Sequence, residues 1–178
     1  MRAGILIRPT EENDIPAIAA IYADAVLNGT ASYELEPPSE AEMLRRWREL
    51  RAKNFPHLVA VSEDSLLGYA YAGPYRPRPA YRYSVEDSIY VAPAAQGSGA
   101  GGALLGPLID ICEHAGFRQM IAVIGGGTEH PASVALHRRF GFRPIGVIEA
   151  SGYKHGRWLD TLLMQRALGP GKTTSPEN

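Results

Sequence analysis

Gln96-Gly97-Ser98-Gly99-Ala100-Gly101-Gly102, "QGSGAGG", decides how this chain is read. It follows "DSIYV" (87–91), which has strand character, and precedes "ALLGPLIDICEHA" (103–115), which reads as a helix. Four glycines between a strand and a helix let backbone amides approach a ligand closely, and the positive end of a helix dipole suits an anion there. Gly97, Gly99 and Gly102 match G-x-G-x-x-G, the dinucleotide fingerprint. That fingerprint opens a domain and turns tightly from strand to helix. Here it begins at residue 97, "APAAQ" intervenes after the strand, and the acidic residue due about 20 positions further on is replaced by "QMIAVIG". A phosphate-binding P-loop fails too, since no Gly-Lys-Ser/Thr ends the run.

The rest of the composition narrows the class. The chain has 178 residues, 45% hydrophobic and 21% charged, enough for one domain with a real core. Its 18 basic and 19 acidic residues leave a formal net charge of −1, which draws it neither to nucleic acid nor to an anionic membrane. A single cysteine, Cys112, excludes an intrachain disulfide and suits a reducing compartment. The segment "MRAGILIRPTEEND" lacks the apolar core of a signal peptide, and a membrane span needs about 20 apolar residues. A cytoplasmic protein is expected.

Periodicity lays out the elements around the glycine run. "GILIRP" reads as a strand, and "TEENDIPAIAAIYADAVLNG" as a helix with Asn13 or Asp14 as cap, Pro16 near its start and Gly29 as its stop. "SEAEMLRRWRELRAKN" is a second helix. Ser39 and Glu42 have the capping-box spacing, and Met43, Leu44, Trp47 and Leu50 form the inward stripe. Three strands follow in "HLVAVSE", "LLGYAYAGPY" and "YSVEDSIYVA", with "EDSL" (63–66) as a hairpin turn. The helix after the glycines presents Leu104, Leu105, Leu108, Ile111 and Cys112 on one face, with Pro107 predicting a kink or a shifted register. "RQMIAVIG" is a strand and "HPASVALHRRFGF" a short helix with Pro131 near its start and Gly141 at its end. The run from Phe142 to Leu168 is two strands or a hairpin. Residues 169–178, "GPGKTTSPEN", read as a disordered tail after one domain spanning 1–168.

In Gln96-x-x-Gly99-x-Gly101, at a helix start after an acidic strand, the loop resembles the acetyl-CoA pyrophosphate loop of the GNAT superfamily of N-acyltransferases. "YAGPYRPRPAYRYSVEDSIYV", "MIAVIGG", "PASVALHRRFGF" and "GYKHGRWLDTLLMQR" are similar to the phosphinothricin acetyltransferase branch. The likeness runs from Ile5 to Arg166, and Gly-Tyr-Lys-x-Gly-x-Trp-x-Asp (152–160) is its most specific block. The resemblance implies an α/β domain with a central mixed, mostly antiparallel sheet and helices on both faces. It also implies acetyl-CoA as cosubstrate and a homodimer. The implied reaction acetylates phosphinothricin, methionine sulfoximine, methionine sulfone or a related amino acid directly at its α-amino group.

That chemistry needs a base for the amine, a donor for the developing oxyanion and a route for the thiolate to leave. By resemblance Glu86, in the strand before the loop, is the candidate base. His137, where much of the superfamily has tyrosine, is its acid–base partner; which does which stays open. Asp87 alternates to the other face and reads as a solvated carboxylate. The resemblance assigns cofactor contacts to Ile89, Tyr90 and Val91, to the loop residues Gln96, Gly97, Ser98, Gly99, Ala100 and Gly101, and to Ser133. His130 stands where the family often has asparagine, which puts one contact to the cofactor arm in question. Arginine forks suit a substrate carboxylate. Arg78 matches a family arginine, with Arg76 and Tyr81 beside it, and Tyr33 and Glu36 match residues on the substrate side. No histidine has metal-ligand spacing. Two other functions compete: acetylation of a different amine, such as a peptide N-terminus or a polyamine, and non-catalytic acyl-CoA sensing.

Overall fold

The computed structural model describes residues 4–63 and 65–176. Seven strands form one sheet: β1 (Leu6–Pro9), β2 (His57–Ser62), β3 (Ser65–Pro74), β4 (Ser84–Val91), β5 (Gln119–Gly125), β6 (Arg143–Lys154) and β7 (Arg157–Ala167). Their order is β1-β2-β3-β4-β5-β7-β6, antiparallel except for the parallel pair β4 and β5. Helices α1 (Ile15–Asn28) and α2 (Glu40–Ala52) cover one face, and α3 (Ala100–His114) and α4 (Pro131–Arg139) the other. This is the expected mixed sheet between helices. Residues 1–3 of the expected domain, Asp64 of the expected hairpin turn, and residues 177 and 178 of the tail lie outside the described residues.

Alternation along the middle strands sorts the two faces by size. Leu58, Ala60, Ala70, Ala72 and Val85 point toward α3, and their small side chains let Leu104, Leu105 and Leu108 sit directly on the sheet. Val59, Tyr69, Tyr71 and Tyr90 point the other way, under Ile18, Tyr22, Met43 and Trp47 of α1 and α2. Trp47 is core, as its helical stripe predicts.

Several local expectations change. Asp14 precedes α1, but its carboxylate accepts two bonds from the Arg8 guanidinium, at 2.7 and 2.8 Å, and one from the Glu11 N–H. Gly29 ends α1 with extended backbone (φ −122°), and a side chain there would stand 2.9 Å from the Ala25 carbonyl oxygen. Glycine is needed for close approach, not for a left-handed turn. Ser39 does cap α2, accepting the Glu42 N–H at 3.2 Å. In α3 Ile109 takes the buried place expected of Ile111, which is 41% exposed, and the helix runs on through Pro107. The run from Arg143 to Ala167 folds as the β6–β7 hairpin. Polar composition predicts a disordered tail over 169–178, and Arg118 makes contacts along its described part. Arg118 donates to the Gly171 and Ser175 carbonyls and to Thr174 Oγ1, and Leu168 is fully buried.

One irregularity prepares the site. The parallel ladder of β4 and β5 covers only Ser84–Asp87 against Gln119–Ala122. Beyond it β4 stays paired to β3 and β5 to β7, so the two strands part and leave backbone groups facing a gap. Gly68 holds β3 against the parted end of β4, where an added Cβ would stand 2.6 Å from the Tyr90 carbonyl oxygen. Gly68→Ala is therefore expected to lower unfolding free energy by about 1–3 kcal/mol, read from urea denaturation.

Candidate active site

The gap between β4 and β5 opens into a cavity of about 720 Å³. Its walls hold Ile89, Tyr90 and Val91 of β4, the loop residues Gln96, Gly97 and Gly99, and Ala100 and Gly101 of the first turn of α3. Val123–Gly125 of β5 and His130, Ser133 and His137 of α4 and its approach close it. All but one of the predicted cofactor residues are thus brought together. The exception is Ser98, whose hydroxyl accepts the Ala100 N–H at 3.3 Å and so serves the loop itself.

Glycine is required in this loop by conformation. Gly97 and Gly99 have φ of +75° and +97°, and nothing lies within 4 Å of a Cβ built on either. Two left-handed residues before α3 turn successive N–H groups outward at the positive end of the helix, a concave seat for a diphosphate. The residues present therefore fit a nucleotide cofactor with a pyrophosphate. His130, in place of the family asparagine, bonds through Nε2 to Thr30 Oγ1 at 2.8 Å and still lines the cavity.

The two predicted catalytic side chains lie on opposite faces of β4. Glu86 stands opposite Gly73, on the face shared with Ser88, Tyr71 and Tyr90. Burial, and then the charge of Asp87, push its pKa up to about 6, with Arg76 acting the other way. His137 is on the α3 face, 4% exposed, at the cavity wall. It does not meet Glu86. Its Nε2 lies 2.9 Å from Asp87 Oδ2, its Nδ1 lies 2.7 Å from the Ser133 carbonyl oxygen, and Phe142 packs against the ring edge to face. Burial disfavours the charged ring, but the hydrogen bond and charge of Asp87, helped by Ser133, prevail and raise its pKa.

Alternation alone predicts a solvated Asp87. In fact its side chain is 1% exposed, because the face to which it alternates is covered by α3 and α4. This is the residue that strand reading missed. The signal was present in the adjacent pair Glu86-Asp87, since a sheet with helices on both faces buries both.

The predicted substrate residues are more dispersed. Arg76, Arg78 and Tyr81 belong to the β3–β4 connection, outside the cavity wall. Arg76 lies 4.5 Å over the Tyr75 ring, Tyr81 packs edge-on to the same ring, and Arg78 is exposed. Tyr33 is planted against the β6–β7 hairpin. Its hydroxyl meets Thr161 Oγ1 at 2.8 Å, and only glycine fits beside its ring at 125 and 152. Glu36 is exposed; Glu34 is the acidic residue drawn inward, bonded to Tyr22 and Arg46.

A glycine seat at a helix start, feeding a gap between parallel strands, defines a transferase that handles a nucleotide-borne group. The chain belongs to the GNAT acetyltransferase family, whose model matches residues 18–142. It is 48% identical to phosphinothricin N-acetyltransferase of Alcaligenes faecalis, over 99% of this chain and 89% of that protein. It is 40% identical to the L-methionine sulfoximine/L-methionine sulfone acetyltransferase of Pseudomonas aeruginosa, over 94% and 96%. The crystal structure of a phosphinothricin acetyltransferase from Sinorhizobium meliloti in complex with AcCoA superposes with a TM-score of 0.94 at 51% identity, covering 98% of this chain and 94% of that one.

The loop geometry sets a direct test. A β-branched side chain at the left-handed Gly99 strains the turn that aims the amides. Gly99→Val is expected to weaken acetyl-CoA binding about tenfold or more by calorimetry, while unfolding free energy falls by no more than about 1–2 kcal/mol.

Proposed function

We propose that this chain transfers the acetyl group of acetyl-CoA to the α-amino group of a small amino acid or analogue, of the phosphinothricin, methionine sulfoximine or methionine sulfone type. One observation carries the reading: the parted β4–β5 strands have a glycine seat on one side and, on the other face, a carboxylate whose pKa is about 6. The similarity to enzymes of those names supports the choice of amine. Bound acetyl-CoA supplies an acyl group activated as a thioester.

Glu86 is the base. An α-amino group has a pKa of about 8, so at neutral pH it arrives mostly protonated. A carboxylate with a pKa of about 6 is ionised at pH 7 yet more basic than a free glutamate. The amine proton passes to Glu86, a C–N bond forms, the C–S bond breaks, and its electron pair stays on sulfur. Amides of Ile89–Val91 that face the gap donate to the carbonyl oxygen as charge grows there. His137, at the cavity wall, stabilises or protonates the departing sulfur. Arg76 bears on Glu86, and with Arg78 and Tyr81 it receives the carboxylate of the amino acid. Tyr33 acts by fixing the hairpin, and Glu36 stands on the rim of the α1–α2 side. Transfer is direct: Cys112 is fully buried, and burial pushes its thiol up to about 12.

The reading includes a homodimer and a cytoplasmic location. β6 forms the sheet edge, and Ile145, Val147, Ile148, Tyr153 and Trp158 are all more than 40% exposed on this hairpin. An unpaired, apolar edge of this length favours a second copy as cover. The buried free thiol of Cys112 suits a reducing compartment. Among the described residues no helix is long and apolar enough to cross a membrane.

Thiol release from acetyl-CoA, with methionine sulfoximine, phosphinothricin, common amino acids and a polyamine, tests the activity. Turnover confined to the polyamine, or tight cofactor binding without turnover, overturns it. Glu86→Gln is expected to lower kcat about 10²–10⁴-fold with acetyl-CoA affinity kept. In the parent protein the rate should fall as pH drops through about 6, because protonation removes the base. Val147→Lys should convert a dimer to a monomer in sedimentation without unfolding it.

A further inference from the structure

Glu86 and Asp87 are neighbours on β4, and alternation turns their carboxylates to opposite faces of the sheet. Asp87 Oδ2 and His137 Nε2 are 2.9 Å apart, with both side chains at 5% exposure or less. On the far side of the ring, Nδ1 is 2.7 Å from the Ser133 carbonyl oxygen. A carbonyl only accepts, so Nδ1 carries a proton; a carboxylate only accepts, so Nε2 carries another. This arrangement suits a doubly protonated ring held at both nitrogens. Asp87 Oδ1 has no hydrogen-bond partner among the described residues, so the pair with His137 is what keeps this buried charge.

The Ser133 hydroxyl also meets His137 Nδ1, at 3.5 Å. From α3 the titratable group facing Asp87 is Cys112, a neutral thiol. Phe142 presents an apolar ring to His137, and its neighbours on α4, Arg138 and Arg139, are exposed. On the other face Glu86 has Tyr71 of β3 and Arg76 of the β3–β4 connection near it. Among the described residues, Asp87 is the charge that bears on both groups.

We propose that Asp87 is the positioning residue of the transfer site, fixing His137 as a charged, oriented ring on one face of β4 and bearing on Glu86 on the other, so that the two titrate as a unit. This rests on the acetyl-transfer reading above. During transfer the amine proton goes to Glu86 and the C–S electron pair to sulfur, while His137 keeps both its protons and contributes charge. Loss of either ring proton ends that contribution. Activity therefore falls at low pH through Glu86 and at high pH through His137.

The sign of the effect separates this role from a structural one. A negative Asp87 favours the protonated form of both neighbours, so neutralising it lowers both pKa values. The experiment combines ¹⁵N-histidine NMR titration of the cofactor-free protein with the pH profile of kcat/KM for methionine sulfoximine. In the parent protein His137 is expected to be doubly protonated at pH 7. In Asp87→Asn it should lose its proton at least about one unit lower, and both limbs of the profile should move to lower pH. Asp87→Ser, a second neutral variant, should give the same shifts, whereas Asp87→Glu should keep the ring charged. In a His137→Gln background, Asp87→Asn should move the acid limb alone. A neutral His137 at pH 7 in the parent protein, or neutral variants whose limbs stay in place, overturns the proposal. If the parent protein acetylates no amine, the activity reading fails while the NMR titration still decides the Asp87–His137 pair.

Discussion

The functional geometry depends on one feature of the sheet: β4 and β5 stop pairing after Asp87 and Ala122. Each is claimed on its outer side, β4 by β3 to Gly68 and β5 by β7 to Thr161. The parted segment leaves backbone donors and acceptors that the sheet does not satisfy, a costly state in a packed core unless another molecule meets them. The glycine loop stands where that molecule enters, and α3 begins there with its N–H groups directed outward. A structural defect in the ladder and a seat for a cofactor are therefore the same feature.

The two faces of β4 have different tasks. On the α3 face, alanines bring helix and sheet into close contact, and the Asp87–His137 pair is buried at the wall of the cavity. On the α1–α2 face, Glu86 stands beside tyrosines, and burial raises its pKa to about 6. Placing unlike chemistry on adjacent residues of one strand needs no loop and little conformational entropy, since at Glu86 and Asp87 the strand is paired on both edges.

Much of this was legible in the sequence, for identifiable reasons. The glycine spacing and its context excluded two phosphate loops, and helical periodicity placed the stripe of α2 with Trp47 inside. What failed were inferences that need tertiary cover. Asp87 reads as solvated until α3 and α4 are laid over it. Ile111 and Ile109 exchange places because a helix with Pro107 inside meets the sheet at its own rotation. No sequence rule foresees that the Tyr33 ring packs against Gly125 and Gly152, which are distant in sequence. The polar tail is held by Arg118, a partner no composition rule names.

The sorting of small and large side chains across the sheet also bears on how such a molecule can diversify. Ala60, Ala70 and Ala72 admit no larger group without lifting α3, so the cofactor side is close to immutable. Tyr69, Tyr71 and Tyr90 project into the other layer, where α1 and α2 rest on aromatic rings and a shape change meets adjustable neighbours. The α3 layer therefore tolerates enlargement less than the α1–α2 layer does, and the β4–β5 gap is where the two layers line a common cavity.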